Sequence, residues 1–140
     1  MKRSQSEKEL SQYTRVLKQF FRNAKGVEFV FLFGSAVQGK LRKDSDMDVA
    51  AFFQVSPNEI DLKSLQEDMT SVLGRDVDLV QLNNASPILK MQVLRNGELV
   101  LCRDRKSLYR FIERAVNEYD DLKQIRKASE ENILKGKIYA

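Results

Sequence analysis

Two aspartates, Asp46 and Asp48, follow a Gly34-Ser35 pair after a gap of ten residues. Side chains alternate between the two faces of a strand, so carboxylates two residues apart point the same way. Like charges held that close are unfavourable unless a cation lies between them, and Mg²⁺ prefers carboxylate and phosphate oxygens. Gly34 allows a ligand to approach the backbone, and Ser35 could begin a helix whose free N–H groups face an anion. The pattern therefore indicates a site for a metal ion and a phosphate, as nucleotide transfer requires.

This arrangement resembles the nucleotidyltransferase superfamily with the DNA polymerase β fold, whose signature is Gly-Ser followed at this spacing by Asp-x-Asp. Here the signature reads Gly34-Ser35 and then Ser45-Asp46-Met47-Asp48. The likeness narrows to the minimal nucleotidyltransferases, or MNT proteins, and runs from Val27 to Arg103. Further segments carry it: Val77-Asp78-Leu79-Val80-Gln81-Leu82, Ala85-Ser86-Pro87-Ile88-Leu89 and Leu94-Arg95-Asn96-Gly97. Gln38 departs from the arginine that is common in the family.

The superfamily uses a third carboxylate from a neighbouring strand. The later strand-like run that carries acidic residues is 75–82, and Asp78 stands in its middle. Its neighbours Val77 and Leu79 are apolar and fall on the opposite face by alternation. Asp78 is therefore the expected third carboxylate, with Asp76, on the same face, as the alternative.

The resemblance implies a two-metal site that holds Mg²⁺, for which Mn²⁺ could substitute, and that uses ATP as substrate. Asp46, Asp48 and Asp78 would be the catalytic and metal-binding residues. Four further residues would bind the nucleotide: Gly34, Ser35, Arg42 and Ser45.

MNT proteins are commonly the antitoxins of HEPN/MNT toxin–antitoxin pairs. The resemblance implies transfer of AMP from ATP to a tyrosine of a HEPN ribonuclease toxin, which would neutralise it, within a hetero-oligomer. The ribonuclease motif of HEPN toxins needs a histidine, and this chain has none. The chain is therefore expected to be the antitoxin. Two alternatives stay open: a small-molecule nucleotidyltransferase, and an antitoxin that acts by binding and occlusion alone.

Composition sets limits on other functions. The chain has 140 residues, 42% of them hydrophobic, which predicts one compact domain. The absence of histidine excludes His-based catalysis, and the single cysteine, Cys102, excludes a disulfide within the chain. The net charge of +4 is mild, and the basic residues are not interleaved with aromatic ones, so direct nucleic-acid binding is not supported. No stretch reads as a signal peptide or membrane span, so a cytoplasmic protein without membrane contact is expected.

Alternating helical and strand-like segments predict an α/β (α+β) fold of the polymerase β type, with a mixed sheet flanked by helices and a C-terminal helical tail. The expected nucleotidyltransferase domain is 1–103. Residues 104–140 are expected to form a helical extension that packs on this domain or on a partner. Ser56 is the expected N-cap of the second helix. A break near Tyr119-Asp120-Asp121 is expected to divide the tail into two helices.

Overall fold

The computed structural model describes residues 5–39, 42 and 45–139. The elements in chain order are α1 (Gln5–Arg22), β1 (Val27–Phe33), β2 (Met47–Phe53), α2 (Glu59–Leu73), β3 (Val77–Gln81), α3 (Pro87–Asn96), β4 (Glu98–Cys102) and α4 (Arg105–Tyr139). Two short 3₁₀ turns, Gly34–Ala36 and Leu82–Asn84, follow β1 and β3.

The four strands form one mixed sheet in the order β3-β2-β1-β4. β1 is antiparallel to both β2 and β4, whereas β2 is parallel to β3. β2 is an interior strand, which explains why it is apolar beyond its first acidic residue. The predicted fold class is thereby confirmed.

Each face of the sheet is covered by two helices. On one face α1 and α2 contribute Leu17, Phe21 and Met69 to a core with the strands. On the other face α3 and α4 pack against Phe29, whose ring stacks on that of Phe52 at 4.9 Å between centroids. Burial of one such side chain stabilises the fold by about 1.5–3 kcal/mol, so the two cores hold the ends of the strands in place.

The helix ends are set by short polar residues and glycines. The predicted cap of α2 at Ser56 is wrong: the helix begins after Asn58, whose side chain accepts a hydrogen bond from the backbone N–H of Asp61 at 2.8 Å. Asparagine caps as well as serine does, and this cap leaves four residues for the turn out of β2. At the other end Gly74 has φ +66°, the left-handed conformation that favours glycine at a helix end.

The C-terminal tail is one continuous helix, so the break predicted near Tyr119 is wrong. No proline or glycine interrupts residues 105–135, and the ammonium group of Lys123 lies over the Tyr119 ring across the predicted break. The first turns of α4 bury Leu108 and Ala115, whereas residues 123–135 are all exposed. Of the described side chains of the tail, those buried against the domain lie in its first half.

Within the described part of the chain, no helix combines the length and apolarity needed to cross a membrane.

Candidate active site

Gly34 ends β1 with a backbone conformation that other residues avoid. Its φ is +74°, and a β-carbon built on it would overlap the Asp48 Oδ2 and lie 3.0 Å from the Asp48 Cγ. Phe33, just before it, pairs with Asp48 across β1 and β2. Glycine is required here both for its dihedral angles and for the space that the carboxylate occupies.

Ser35 does not begin a long helix, contrary to the sequence-based expectation. The segment Gly34–Ala36 is a three-residue 3₁₀ turn, closed by a hydrogen bond from the Val37 N–H to the Gly34 carbonyl. The same carbonyl also accepts from the Gln38 N–H at 3.3 Å. The segment is too short to build a helix dipole. Any phosphate binding here would depend on single backbone N–H groups and the half-buried Ser35 hydroxyl.

The carboxylates meet where β1 ends and where β2 and β3 begin. Asp48 and Asp78 are direct partners in the parallel register of β2 and β3. Asp46 stands two residues before Asp48, just outside β2, with an exposed side chain. The structure therefore brings the three predicted acidic residues to one end of the sheet.

The charges of these groups act on one another. The pKa of Asp48 is raised above its ordinary value of 3.8, first because the carboxyl is partly buried and then because Asp78 and Asp46 lie near it. A bound cation would remove this penalty, since an opposite charge nearby favours the ionised form.

Asp78 is better placed than Asp76 to act with Asp48. Both side chains are exposed and line a cleft of about 740 Å³ together with Asp46, so Asp78 is less enclosed than its apolar neighbours suggested. Asp76 precedes β3, and its carbonyl accepts a hydrogen bond from the Met47 N–H at 2.8 Å. Of the two, Asp78 alone is the register partner of Asp48 and one of the charges that raise its pKa.

Helix α2 fixes the outer edge of β3 beside this cleft. The Gln66 Oε1 accepts a hydrogen bond from the Leu79 N–H at 2.9 Å, and the Thr70 hydroxyl accepts one from the Val77 N–H at 3.2 Å. These bonds hold both residues that flank Asp78. They also satisfy donors that an edge strand would otherwise leave open.

The donor chemistry of the site suits Mg²⁺, because carboxylate oxygens are the ligands that this ion prefers. Among the described residues, however, no three acidic side chains already form a cluster with the geometry of metal ligands. Asp46 and Asp78 are exposed and can change rotamer, so binding an ion requires side-chain movement rather than movement of the strands.

Arg42 and Ser45 form a turn that leads into Asp46. The Arg42 N–H donates to the Ser45 Oγ at 3.1 Å, and the Ser45 N–H donates to the Arg42 carbonyl at 3.1 Å. The Arg42 side chain is exposed, so it is free to turn toward a ligand.

Arg75 is a residue of this region that the sequence did not single out. Its guanidinium donates hydrogen bonds to the carbonyl groups of Arg42 and Ser45, in the turn that precedes Asp46. These two residues lie 33 and 30 positions before Arg75 in the chain. The only sequence signal was a basic residue directly after the glycine that ends α2. Nothing in a single sequence shows where such a side chain reaches.

Comparison with known proteins identifies the family. The profile described as polymerase beta, nucleotidyltransferase matches residues 15–106, which contain Gly34, Ser35 and the acidic residues of the site. The chain belongs to the polymerase beta nucleotidyltransferase family. The predicted resemblance is confirmed, and the chain is an enzyme of the nucleotidyltransferase class.

Two relatives extend this family assignment across most of the chain. This nucleotidyltransferase is 28% identical over 120 residues to the protein adenylyltransferase MntA of Shewanella oneidensis, and the match covers 86% of each chain. It is also similar to a crystal structure of a toxin–antitoxin with AMP-PNP. That match has a TM-score of 0.75 and 27% identity, and it covers 86% of this chain and 98% of the other.

A third similarity concerns the fold alone. The structure of a tri-AMPylated Shewanella oneidensis HEPN toxin in complex with an MNT antitoxin matches this nucleotidyltransferase with a TM-score of 0.72 at 24% identity. The match covers 89% of this chain and 98% of the other.

Proposed function

We propose that this protein is a Mg²⁺-dependent antitoxin that transfers AMP from ATP to a tyrosine of a HEPN ribonuclease toxin and so neutralises it. The observation that carries nucleotide transfer is the register pair Asp48–Asp78 beside the Gly34 turn. The choice of a protein as acceptor is supported by the similarity to the adenylyltransferase MntA along 86% of the chain.

Each group of the site has a role in this proposal. Asp46, Asp48 and Asp78 would hold Mg²⁺, which supplies positive charge to the triphosphate and lowers the pKa of the attacking hydroxyl. The backbone N–H of Gly34 and the hydroxyl of Ser35 would bind the β- and γ-phosphates. Arg42, exposed on the turn before Asp46, would neutralise charge on the departing pyrophosphate. Ser45 would shape that turn while its hydroxyl accepts the Arg42 N–H.

The transfer step moves one proton and exchanges one bond. The tyrosine oxygen attacks the α-phosphorus of ATP, the bond from that phosphorus to the oxygen bridging to the β-phosphate breaks, and pyrophosphate leaves. Asp78 is exposed at the cleft and would accept the proton of the tyrosine hydroxyl. A phenol has a pKa near 10, so a carboxylate can take its proton at neutral pH only once the hydroxyl has been acidified in the site.

The open shape of the site favours a side chain of another protein as the acceptor. The cleft that Asp46 and Asp78 line is bounded by α2 and the start of β3, and both of these aspartates are exposed. The extension after β4 is a single helix, and its residues 123–135 are all exposed. The described residues therefore build no second domain over the carboxylates to enclose a small substrate.

The test uses ATP labelled at either the α- or the γ-phosphate, incubated with this protein, Mg²⁺ and the HEPN protein encoded beside it. The proposal expects label on the HEPN protein from α-labelled ATP and none from γ-labelled ATP, because pyrophosphate carries the γ-phosphate away. Label from both would indicate transfer of a larger group, and label from the γ-phosphate alone would indicate a kinase. Inhibition of the HEPN ribonuclease without any label would favour occlusion.

A further inference from the structure

The side chain of Arg75 anchors the turn that carries Asp46. Its Nη1 donates to the carbonyl oxygen of Arg42 at 2.5 Å and to that of Ser45 at 3.2 Å. The arginine lies in the connection between α2 and β3, so these bonds tie two separate parts of the chain together.

The guanidinium also contacts α1, through the ring of Tyr13. Its central carbon lies 5.5 Å from the centroid of the Tyr13 ring, within the range of a cation–π contact. Tyr13 is half-buried and packs against the core formed with α1 and α2. The aromatic ring and the two carbonyl groups together fix the plane of the guanidinium, a geometry that a lysine ammonium cannot reproduce.

Asp46 stands between two anchored neighbours. On one side the carbonyl of Ser45 accepts from Arg75, and on the other side the Met47 N–H donates to the carbonyl of Asp76 at 2.8 Å. Asp46 lies before β2 and has no strand pairing of its own. Its backbone position is therefore set by these two anchors, one of which is the Arg75 side chain.

We infer that Arg75 is a positioning residue that, backed by Tyr13, holds Asp46 where it can act with Asp48 and Asp78. The inference rests on the proposed function, since it gives Asp46 a role in nucleotide transfer. Arg75 acts through the carbonyl groups of the turn and not by contact with the nucleotide. Small displacements of a catalytic group are costly, since a shift of about 1 Å can lower a rate by about 100-fold.

Arg75→Lys is the primary variant, and the chain offers a matched control. Arg103 also donates to two backbone carbonyl groups, those of Ala24 and Phe21, but at the far end of the sheet, next to the start of β1. Arg103→Lys thus removes the same kind of anchor without touching the turn before Asp46. Tyr13→Phe keeps the ring behind Arg75, whereas Tyr13→Leu removes it.

Two readouts separate anchoring from general stability. Hydrogen exchange of the amides of residues 45–47 is expected to be faster by about tenfold or more in Arg75→Lys, and unchanged in Arg103→Lys. The kcat for AMP transfer is expected to fall by about tenfold or more in Arg75→Lys, with the KM for ATP within about threefold. Tyr13→Leu should shift both quantities in the same direction, and Tyr13→Phe should leave both near those of the unaltered protein.

Unchanged exchange in Arg75→Lys would overturn the anchoring, and faster exchange with unchanged kcat would overturn the positioning role. Equal losses of kcat in Arg75→Lys and Arg103→Lys would also overturn it, because they would show a general effect on folding. Absence of transfer by the unaltered protein would instead overturn the proposed function. Arg75 would then be tested by hydrogen exchange and by the affinity of the protein for Mn²⁺. Equal Mn²⁺ affinities of Arg75→Lys and Arg103→Lys would contradict the inference.

Discussion

Gly34 and Asp48 lie so close together that a β-carbon on residue 34 would overlap the Asp48 carboxylate. The two residues come from different strands, and Asp48 is the register partner of Phe33, directly before the glycine. The Gly-Ser and Asp-x-Asp motifs are thus two halves of one contact. The ten residues between the two motifs connect the end of β1 to the start of β2.

Gly34→Ala should therefore abolish transfer and destabilise the protein. The positive φ alone costs about 1–2 kcal/mol for a residue with a β-carbon. The overlap with Asp48 adds to this cost and displaces the carboxylate from the site. Thermal unfolding and the transfer assay measure the two effects.

Gly26→Ala is the matched control for that substitution. Gly26 also has a positive φ, +85°, but a β-carbon built there would meet nothing within 4 Å. Gly26→Ala should lower the stability of the protein through backbone strain alone and should leave AMP transfer unchanged. If both variants keep full transfer, the contact between residue 34 and Asp48 has no catalytic importance.

The double substitution Asp46→Asn with Asp48→Asn should abolish transfer while the fold is kept. Asp46 directly precedes β2 and Asp48 is the second residue of that strand, and asparagine has nearly the same shape as aspartate. The substitution replaces each carboxylate, the ligand that Mg²⁺ prefers, by a neutral amide, and transfer should fall by about 100-fold or more. Circular dichroism checks the fold and labelled ATP checks the transfer. Undiminished transfer would remove these residues from the catalytic assignment.

Asp78→Asn should lower transfer far more than Asp76→Asn. Asp78 is the register partner of Asp48, whereas Asp76 lies two residues earlier and outside the strand. The expected loss is about 100-fold or more for Asp78→Asn and less than about threefold for Asp76→Asn. The two variants are compared in one transfer assay at equal protein concentration. The reverse order would show that the third carboxylate is that of Asp76, which precedes β3.

The stability of the metal-free protein should depend on pH through Asp48. Its pKa is raised in the folded protein, so its contribution to stability is fully present below the ordinary value of 3.8. The contribution is lost as the pH rises through the raised value, because the partly buried carboxylate must then ionise beside Asp78 and Asp46. Asp48→Asn should thus melt higher than the unaltered protein at neutral pH, and the advantage should shrink toward pH 4.

Thermal unfolding with a chelator, measured at several pH values between 4 and 8, checks this dependence. Added Mg²⁺ should narrow the difference at neutral pH, since the ion binds and stabilises the unaltered protein more than the variant. A melting difference that stays constant across the pH range would contradict the assignment of the effect to Asp48.

The parts of this fold that follow local rules could be predicted from the sequence. Apolar runs predict strands over 27–33 and 47–53, and a serine followed by a proline predicts a helix start at Ser86-Pro87. The structure has β1 and β2 over these residues, and Ser86 caps α3. The cap of α2 was misplaced because Ser56 and Asn58 both suit an N-cap, and a single sequence does not decide between them.

The relations between distant residues could not be predicted in the same way. Alternation places Asp76 and Asp78 on one face of β3, but it does not say which one pairs with Asp48, because strand register depends on packing between elements. The contacts of Arg75 with Tyr13 and with the turn before Asp46 depend on how α1 and the α2–β3 connection meet. The exposure of residues 123–135 of α4 likewise has no local signature in the sequence.

The central claim is that this protein places AMP on a tyrosine of its HEPN partner. The most direct measurement is the intact mass of that partner after incubation with this protein, ATP and Mg²⁺, followed by mapping of the modified peptide. The account predicts a mass increase of one or more AMP groups, located on tyrosine and absent when Asp48→Asn replaces the unaltered protein. A partner whose ribonuclease is inhibited while its mass stays unchanged would contradict it.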